Sequence, residues 1–417
     1  QGGPLVTLLL RLLLCCTPGL ALAAAPWAFD DVVTVSDAGD AGFFHHLDGA
    51  GRQHLAASTG EVALVWEDDS SGAPQVYLSI KPHASASFSR TYRISQGEEA
   101  YEPAVVALDG DRWLAAWEQD GAIVACVVDA EGPGPVGILA PEGGRQVTLA
   151  TDGRGRVAAV WAREQDGGQL IEAALLNVDQ RGVALAAGPE KVAPIGGHAF
   201  QGYPAAAWAG DGRLVVAWED RRAGHTRLFH TWSESWPEFA NARQLNEHNA
   251  PVSPDGSSGL GSGVMRVVLA SDHAGVVRAI WLDKRNPASG YAVWGAVSRD
   301  AGVTFGPNAI VQDELGAAVA QWHPALAGGE SVFAAAWDDT REGWGDAAES
   351  GDVLLSWDFG EGWSADLVVP GASGAGYQGS PAVTIDPHGD LHLMWIDRVD
   401  LESPTRLHYL RGRFTAP

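Results

Sequence analysis

The chain has 417 residues, with 27 basic and 52 acidic side chains that give a formal net charge of −25 at pH 7. This acidic balance argues against a nucleic-acid partner, because phosphate binding requires clustered Lys and Arg that release counterions. The 52 glycines and 17 tryptophans instead predict many short strands joined by tight turns.

Residues 1–25 resemble a secretory signal segment. An apolar run is followed by the small-residue string ALAAAP, and we predict cleavage after Ala23. A lipoprotein anchor at Cys15 or Cys16 is the alternative, and it is less favoured because the residues before these cysteines are not small. The run is too short and too interrupted to predict a membrane span. The mature protein is therefore expected to be secreted, periplasmic or attached to the cell surface.

Residues 26–417 are predicted to form a single domain. They contain one cysteine, Cys126, so an internal disulfide is excluded and packing must stabilise the fold. The first segment of this domain, FDDVVTVSD (Phe29–Asp37), has the pattern of a strand that belongs to no repeat.

An apolar stretch that ends in Trp and is followed by polar residues recurs seven times, at intervals of 44 to 63 residues. The seven tryptophans are Trp66, Trp117, Trp161, Trp218, Trp281, Trp337 and Trp395. A second apolar stretch precedes most copies, and a third and a weaker fourth follow. Four short strands per repeat, at a period near fifty, are typical of β-propeller blades.

The predicted fold class is therefore all-β, a β-propeller of seven four-stranded blades. Six blades are the alternative, because the third repeat is the shortest. A single four-stranded sheet buries too little apolar surface to be stable alone, so the tryptophans are predicted to pack between blades. The last repeat ends one strand short. We predict that Phe29–Asp37 supplies its outer strand and closes the ring.

Two segments, Ser298–Phe305 and Ser356–Trp363, fit the pattern Ser-x-Asp-x-Gly-x-x-aromatic after a predicted third strand. This pattern resembles the Asp box, or bacterial neuraminidase repeat, of sialidase-like β-propellers, and the blade pattern extends the resemblance over nearly all of the mature chain. The resemblance implies a structural turn on the face away from an active site. The residue chemistry agrees, because Asp can accept backbone N–H groups and Gly can adopt positive φ. Asp300 and Asp358 are interpreted as residues that stabilise these turns.

In a propeller, the loops that enter the first strand and leave the second strand share one face, around the central channel. Five repeats carry Asp two positions after Trp, and Arg follows in four of them. These residues are Asp68, Asp220, Asp283, Asp339 and Asp397, with Arg222, Arg285, Arg341 and Arg398. Two interpretations stay open: a repeated salt-bridged turn, which the repetition favours, or a set of ligand-binding groups.

The residues that enter the first strands differ from one repeat to the next. They are His54, Tyr101, Glu102, Gln146, Tyr203, Arg266, His323 and Ser380, with Tyr377 just ahead of the last. Such variety at equivalent positions is typical of a binding site on a symmetric scaffold. The alternative is a polar lining of a water-filled channel.

Two insertions are predicted to overhang the same face. They are Asn246–Gly263, which is rich in Gly, Ser and Pro, and Glu342–Asp352. The second contains Trp344, whose indole could stack on a sugar ring.

The resemblance to sialidases implies three arginines that bind a carboxylate, a Tyr nucleophile with a Glu partner, and an Asp acid. The candidates for the arginines are Arg222, Arg266, Arg285 and Arg341. The candidates for the nucleophile are Tyr101, Tyr203 or Tyr377, with Glu102 as its partner, and the candidate for the acid is Asp68. The family's Phe/Tyr-Arg-Ile-Pro signature is missing. The nearest string, YRIS at Tyr92–Ser95, falls in a fourth-strand position, so no catalytic role is assigned.

The favoured hypothesis is a secreted, monomeric propeller that binds a glycan or a cell-surface protein on its channel face without catalysis. The alternatives are an exo-acting glycoside hydrolase of sialidase type and a structural module of a bacterial cell envelope. No cofactor or metal is predicted, because the histidines are scattered singly and no calcium-loop spacing is present.

Overall fold

Over the part of the chain that the structure describes, seven antiparallel sheets follow one another, and each contains one tryptophan of the repeat. The computed structural model describes residues 25–165, 167–193, 200–222, 224–247, 263–285, 290–313, 320–341, 350–400 and 402–415. The seven sheets are the blades of a β-propeller, so the predicted fold class and blade number are confirmed. The predicted signal segment lies outside the described residues except for Ala25.

The strands are numbered in chain order, and the first two precede the blades: β1 (Trp27–Phe29) and β2 (Val33–Asp37). Blade 1 comprises β3 (His45–His46), β4 (Leu55–Ala57), β5 (Glu61–Asp68), β6 (Gln75–Pro82) and β7 (Arg90–Arg93). Blade 2 comprises β8 (Ala100–Ala107), β9 (Trp113–Gln119), β10 (Ala122–Asp129), β11 (Gly132–Pro133) and β12 (Gly137–Ala140). Blade 3 comprises β13 (Gly144–Thr151), β14 (Val157–Gln165), β15 (Gly168–Val178) and β16 (Val183–Lys191).

Blade 4 comprises β17 (Gln201–Trp208), β18 (Leu214–Asp220), β19 (Arg227–Ser235), β20 (Glu238–Phe239) and β21 (Arg243–Gln244). Blade 5 comprises β22 (Val264–Ser271), β23 (Val277–Asp283), β24 (Ala292–Ser298) and β25 (Ala309–Ile310). Blade 6 comprises β26 (Gln321–Gly328), β27 (Phe333–Asp339), β28 (Asp352–Asp358) and β29 (Leu367–Val368). Blade 7 comprises β30 (Tyr377–Ile385), β31 (Leu391–Arg398) and β32 (Arg406–Phe414).

The N-terminal strands close the ring. Both β1 and β2 pair antiparallel with β32, with Trp27 opposite Phe414 and Val33 opposite Tyr409. The predicted outer strand of the last blade is therefore confirmed. It begins two residues earlier than predicted and is divided into two parts. The closing strands cover the free edge of blade 7, which would otherwise expose unpaired backbone groups.

The seven repeat tryptophans lie in the second strands and are at most 2% exposed. Each belongs to an apolar cluster that joins two sheets; for example, Trp161 of blade 3 packs with Leu114 and Val127 of blade 2. Their prediction as core between blades is confirmed. Cys126, the one cysteine among the described residues, is buried in the same way and makes no disulfide.

The described residues include two single-turn 3-10 helices, at Gly39–Ala41 and Ala50–Arg52. None of the helices in the described part of the chain has the length and apolarity required to cross a bilayer. The second turn is important for the site, because it lies between the two halves of the inner strand of blade 1, β3 and β4.

The two box motifs form tight turns on the end of the blades where third strands stop. Asp300 accepts the backbone N–H of Thr304 at 2.9 Å, and Asp358 accepts that of Gly362 at 3.0 Å. Gly302 and Gly360, at the fifth position of each box, have φ of 84° and 108°. These contacts are those expected of a structural turn. The string YRIS overlaps β7, a fourth strand, as expected.

Candidate functional site

Residues 47–53, which we call the central plug, occupy the middle of the ring. The 3-10 turn within the plug contacts the inner strands of blades 2 to 6, namely β8, β13, β17, β22 and β26. The Gln53 Oε1 atom accepts hydrogen bonds from Thr148 Oγ1 at 2.9 Å and from the Leu149 amide at 2.8 Å. Arg52 donates through Nε to the Pro381 carbonyl at 3.1 Å. The plug is thus bound to blades on opposite sides of the ring.

Gly51 allows the plug to approach blade 3 closely. Its φ is 62°, in the left-handed region that disfavours a side chain. A Cβ atom at this position would lie 2.8 Å from Thr148 Oγ1 and 3.9 Å from Ala205 Cα. Only glycine fits both the backbone conformation and the space.

Each inner strand has an irregularity at one equivalent position. In blades 2 to 7 the register with the second strand shifts there, which is a β-bulge. One residue of each bulge has positive φ, between 47° and 57°. These bulge residues are Glu102, Gln146, Tyr203, Arg266, His323 and Ser380, and Arg52, with φ of 48°, is the corresponding residue in blade 1. Six of the seven were singled out from the sequence; in blade 1 the equivalent residue is Arg52 instead of His54.

At four of these positions a carboxylate from the preceding blade accepts the backbone N–H of the bulge residue. Glu219 accepts the Arg266 amide at 2.8 Å, and Asp338 accepts the Ser380 amide at 3.3 Å. The equivalent pairs are Glu67 with Glu102 at 3.2 Å and Glu118 with Gln146 at 2.5 Å. These acidic residues were missed from the sequence, although they follow Trp directly in four repeats.

In blade 3 a side-chain amide replaces the missing acid. Ala162 follows Trp161 there, so no carboxylate is available. The side chain of Gln146 takes its place and accepts the Tyr203 amide at 2.8 Å. The backbone at each of these bulges is therefore held by a neighbouring blade, and the side chain of the bulge residue is not needed for it.

The Asp residues two positions after Trp have a different environment. Asp68, Asp220, Asp283 and Asp339 each accept the indole N–H of their own Trp, at 2.7 to 3.4 Å. Asp397 does not, and lies 3.9 Å from His408. The same hydrogen bond between Asp and indole in four blades favours a structural role for these aspartates in the turn.

The three Asp-x-Arg arginines pair with the Asp of their own turn. The Arg222 guanidinium lies over the Phe229 ring, and that of Arg285 lies 3.4 Å from the centre of the Trp294 ring. Arg341 binds both Asp339, at 2.8 Å, and Asp366, at 2.7 Å. The structure thus places them in three separate blades, and it does not bring them together with Arg266.

His323 and Tyr377 share one buried carboxylate, that of Asp338. The Nδ1 atom of His323 lies 2.9 Å from Asp338 Oδ1, and the Tyr377 hydroxyl donates to Oδ2 at 3.0 Å. Burial acts to raise the pKa of Asp338, but the charge and hydrogen bond of His323, and then the charge of Arg52, outweigh burial and hold the pKa below its usual value. Burial raises the pKa of Tyr377. Asp338 is therefore an ionised group that orients a histidine and a phenol.

Two arginines lie beside this group. Arg266 pairs with Asp48 of the plug at 3.3 Å. Burial, and then the charge of Arg266, lowers the pKa of Arg52 to about 10. The Nη1 and Nη2 atoms of Arg52 are buried and have no hydrogen-bond partner within the described residues. The centre of the ring thus contains hydrogen-bonding capacity that the described protein does not use.

The part of the centre next to blades 1 and 2 is rich in carboxyl groups. Burial raises the pKa of Glu67 to about 7. Burial, followed by the charges of Glu118 and Asp48, raises the pKa of Glu102 to about 8. At pH 7 the Glu67 carboxyl is therefore about half protonated and that of Glu102 is largely protonated, so both can donate as well as accept hydrogen bonds.

The remaining predicted site residues lie at the edge of this centre or outside it. Tyr203 is 36% exposed, and the Arg398 guanidinium lies 4.7 Å from the centre of the Tyr377 ring. Tyr101 donates its hydroxyl to Glu99 at 2.6 Å. His54 is fully buried beneath the plug, and burial lowers its pKa to about 3. Trp344 and most of the two predicted insertions lie outside the described residues.

A separate groove of about 290 Å³ lies at the other end of the blades, between the box turns of blades 5 and 6. It is lined by Trp363 and by the buried ion pair of Arg278 with Asp358, 2.6 Å apart. Asp358 is the aspartate that stabilises the box turn of blade 6, and Arg278 holds it in place. The residues that line the groove are therefore explained by their structural role in this turn.

Comparison with known proteins identifies the fold. The polysaccharide lyase Uly1 superposes with a TM-score of 0.61 at 10% identity, over 93% of this chain and 100% of that chain. The α-L-arabinofuranosidase Arb93A from Fusarium graminearum has a TM-score of 0.45 at 13% identity, over 74% and 91%. The Hadza microbial sialidase Hz136 has a TM-score of 0.45 at 12% identity, over 84% and 73%. No protein-family model and no curated protein matches the chain.

At these identities the likeness concerns the fold alone. The predicted β-propeller fold is confirmed at that level by the superposition on Uly1.

Proposed function

We propose that the channel face binds a saccharide at the centre of the ring. The observation that carries this proposal is the contrast between two sets of equivalent residues. The Asp two positions after Trp recurs in five blades and accepts the indole N–H of its own Trp in four of them, whereas the seven bulge positions hold six different residue types. A structural device on a symmetric scaffold repeats, and a site for an asymmetric ligand does not.

The chemistry of the centre suits a sugar. Paired charges and protonated carboxyl groups, as at Arg266 with Asp48 and at Glu102, provide donors and acceptors for hydroxyl groups. Tyr203 is exposed and offers an aromatic ring for stacking. Polysaccharide lyase activity in a protein of the same fold supports a glycan ligand by analogy. Secretion, which the leader-like residues 1–25 predict, would bring the protein into contact with such ligands.

A glycan array followed by titration calorimetry tests this proposal. We expect the protein to bind one class of glycan and the variants Tyr203→Ala and Arg266→Ala to bind it at least tenfold more weakly. Arg154→Ala is the matched control, because Arg154 is an exposed arginine in the turn after β13, at the other end of a blade. Equal binding by all four proteins, or no binding to any glycan, would contradict a site at the channel centre.

Glycan cleavage is the second candidate function, and the His323–Asp338–Tyr377 group favours it. Asp338 contacts Nδ1 of His323, so Nε2 is the ring nitrogen directed away from the carboxylate. A histidine oriented in this way can accept a proton, and a phenol held beside it can donate one. The residues that would move protons are thus in place on the proposed binding face.

An activity assay separates the two candidates. Purified protein is incubated with a fluorogenic sialoside and with the array glycans, and reducing ends and unsaturated products are measured. Turnover that is lost in His323→Ala and Tyr377→Phe, but not in Arg154→Ala, would establish cleavage. Glycan binding without turnover would establish a binding module.

A further inference from the structure

Two histidines and an aspartate from opposite ends of the chain meet at the other end of the blades, away from the central plug. His83 directly follows β6 of blade 1, Asp386 directly follows β30 of blade 7, and His392 lies in β31. One potential ligand atom from each residue lies within 4.8 Å of those of the other two. The group therefore spans the junction between the first and last blades. It was missed from the sequence because the two histidines are far apart in the chain.

The separations in this group are compatible with ligands of a shared ion, and the one hydrogen bond within it, between His392 Nε2 and Asp386 Oδ2, is long at 3.4 Å. The Asp386 Oδ2 atom lies 3.7 Å from His83 Nδ1 and 3.4 Å from His392 Nε2. Hydrogen bonds of this type usually measure about 2.7–3.2 Å. Around a tetrahedral zinc ion with bonds of about 2.0–2.1 Å, neighbouring ligand atoms are roughly 3.3–3.4 Å apart. The two separations from Asp386 Oδ2 are within about 0.4 Å of these values, and all three ligand atoms lie within 4.8 Å of one another, so a contraction of the cluster would complete such a geometry.

The surrounding structure orients each candidate ligand. Asp386 Oδ1 accepts the amides of His388 at 2.8 Å and Asp390 at 2.9 Å, and Oδ2 is the atom nearest to both histidines. The Tyr409 hydroxyl lies 2.7 Å from Nδ1 of His392, which directs Nε2 toward Asp386. A hydrogen bond on the second ring nitrogen is typical of histidines that bind metals.

The charge next to the cluster is balanced. Arg411, the cation nearby, is paired with the Asp390 carboxylate at 2.6 Å, so its guanidinium does not need Asp386 as a partner.

We propose that His83, Asp386 and His392 bind one divalent transition-metal ion, for which Zn²⁺ is the best candidate, and that this ion fastens blade 1 to blade 7. Two imidazole nitrogens and one carboxylate oxygen are a donor set that zinc prefers, with water in a fourth position. The ring is otherwise closed at blade 7 by the pairing of β1 and β2 with β32. An ion at this junction would stabilise the closed ring without taking part in events at the channel face.

The test is calorimetric titration of the chelator-treated full chain with ZnCl₂, together with thermal unfolding. We expect one Zn²⁺ per chain and a higher Tm in its presence. Asp386→Asn keeps an oxygen for the two turn amides but removes the ligand, and His83→Gln removes a second ligand. We expect each to weaken binding by at least about 100-fold, because even residues that only contact ligands often contribute 10–100-fold. His388→Gln is the control, since His388 is exposed in the same turn.

A spectroscopic measurement guards against misfolded variants. Substitution with Co²⁺ in the unaltered protein should give the d–d bands of a tetrahedral site, and these should be lost in His83→Gln but not in His388→Gln. No stoichiometric Zn²⁺ binding by the unaltered protein, or full binding by the Asp386→Asn and His83→Gln variants, would overturn the proposal. Because the channel face is not involved, neither result depends on glycan binding.

Discussion

Replacing Gly51 with Ala tests how tightly the central plug fits against blade 3. The backbone at Gly51 has φ of 62°, which costs an alanine about 1–2 kcal/mol relative to a right-handed conformation. The new Cβ would also lie 2.8 Å from Thr148 Oγ1, which donates to Gln53 at 2.9 Å. Loss of that hydrogen bond would add about 1 kcal/mol. We expect Gly51→Ala to lower the free energy of unfolding by about 2–3 kcal/mol in total.

A matched glycine separates the backbone cost from the steric cost. Gly110, in the turn after β8, has φ of 68°, and a Cβ atom added to it would have no neighbour within 4 Å. Gly110→Ala should therefore carry the backbone cost alone, about 1–2 kcal/mol. Chemical denaturation of both variants gives the difference. A double-mutant cycle with Thr148→Ala should show that the excess cost of Gly51→Ala depends on the threonine side chain.

Glycan binding by the same variants links the plug to the proposed site. Asp48 and Arg52, which flank Gly51, contact Arg266 and the Pro381 carbonyl. Displacement of the plug should therefore weaken glycan binding in Gly51→Ala and leave it unchanged in Gly110→Ala. Equal unfolding free energies for the two glycine variants would refute the tight fit that we infer.

Three further predictions concern the core and the centre. Trp218→Phe should destabilise the protein more than Trp161→Phe, because the Trp218 indole donates to Asp220 at 3.2 Å whereas that of Trp161 has no partner in the described part of the chain. Denaturant titration should show that the two losses of unfolding free energy differ by about 1–2 kcal/mol. Equal losses would contradict this prediction. Asp338→Asn should lower the free energy of unfolding by about 3–5 kcal/mol, because Arg52 stays buried without the nearby charge of Asp338. A loss below about 1 kcal/mol would show that the charge of Asp48 alone is enough to balance Arg52. Glu102→Gln should stabilise the protein at pH 8 and have little effect at pH 4. The pKa of Glu102 in the folded state, about 8, lies above the unfolded value, so the unfolding free energy of the wild-type protein falls as the pH rises from about 4.3 to 8. An effect of the substitution that does not depend on pH would exclude this titration.

The ring could be predicted from the sequence because its cause is local and repeated. Each repeat contains its own Trp and its own pattern of strands. The segment Phe29–Asp37, which belongs to no repeat, corresponds to the strand that the last repeat lacks. The plug could not be predicted in this way. Residues 47–53 have no counterpart in the other repeats, and they interrupt the first strand of blade 1. For the same reason the equivalent residue in that blade was placed at His54, two positions from Arg52.

The candidate site was only partly accessible from the sequence. The bulge residues of blades 2 to 7 were found because they precede a recognisable first strand. Glu67, Glu118, Glu219 and Asp338 were overlooked because a more regular Asp lies one position further on in most repeats. Adjacent residues in a strand face opposite ways, so the more regular Asp binds the indole and the less regular acid reaches the next blade. Contacts between distant segments, as at His83 and His392, leave no local pattern.

The support of each bulge amide by a neighbouring blade has a consequence for how this scaffold could acquire new specificity. Because Glu219 holds the backbone at Arg266, and Asp338 holds it at Ser380, the conformation there does not depend on which side chain the bulge presents. Exchange of side chains at these positions would thus alter what the centre recognises while the strands remain in register. Libraries built on these positions alone would sample many recognition surfaces on one unaltered framework.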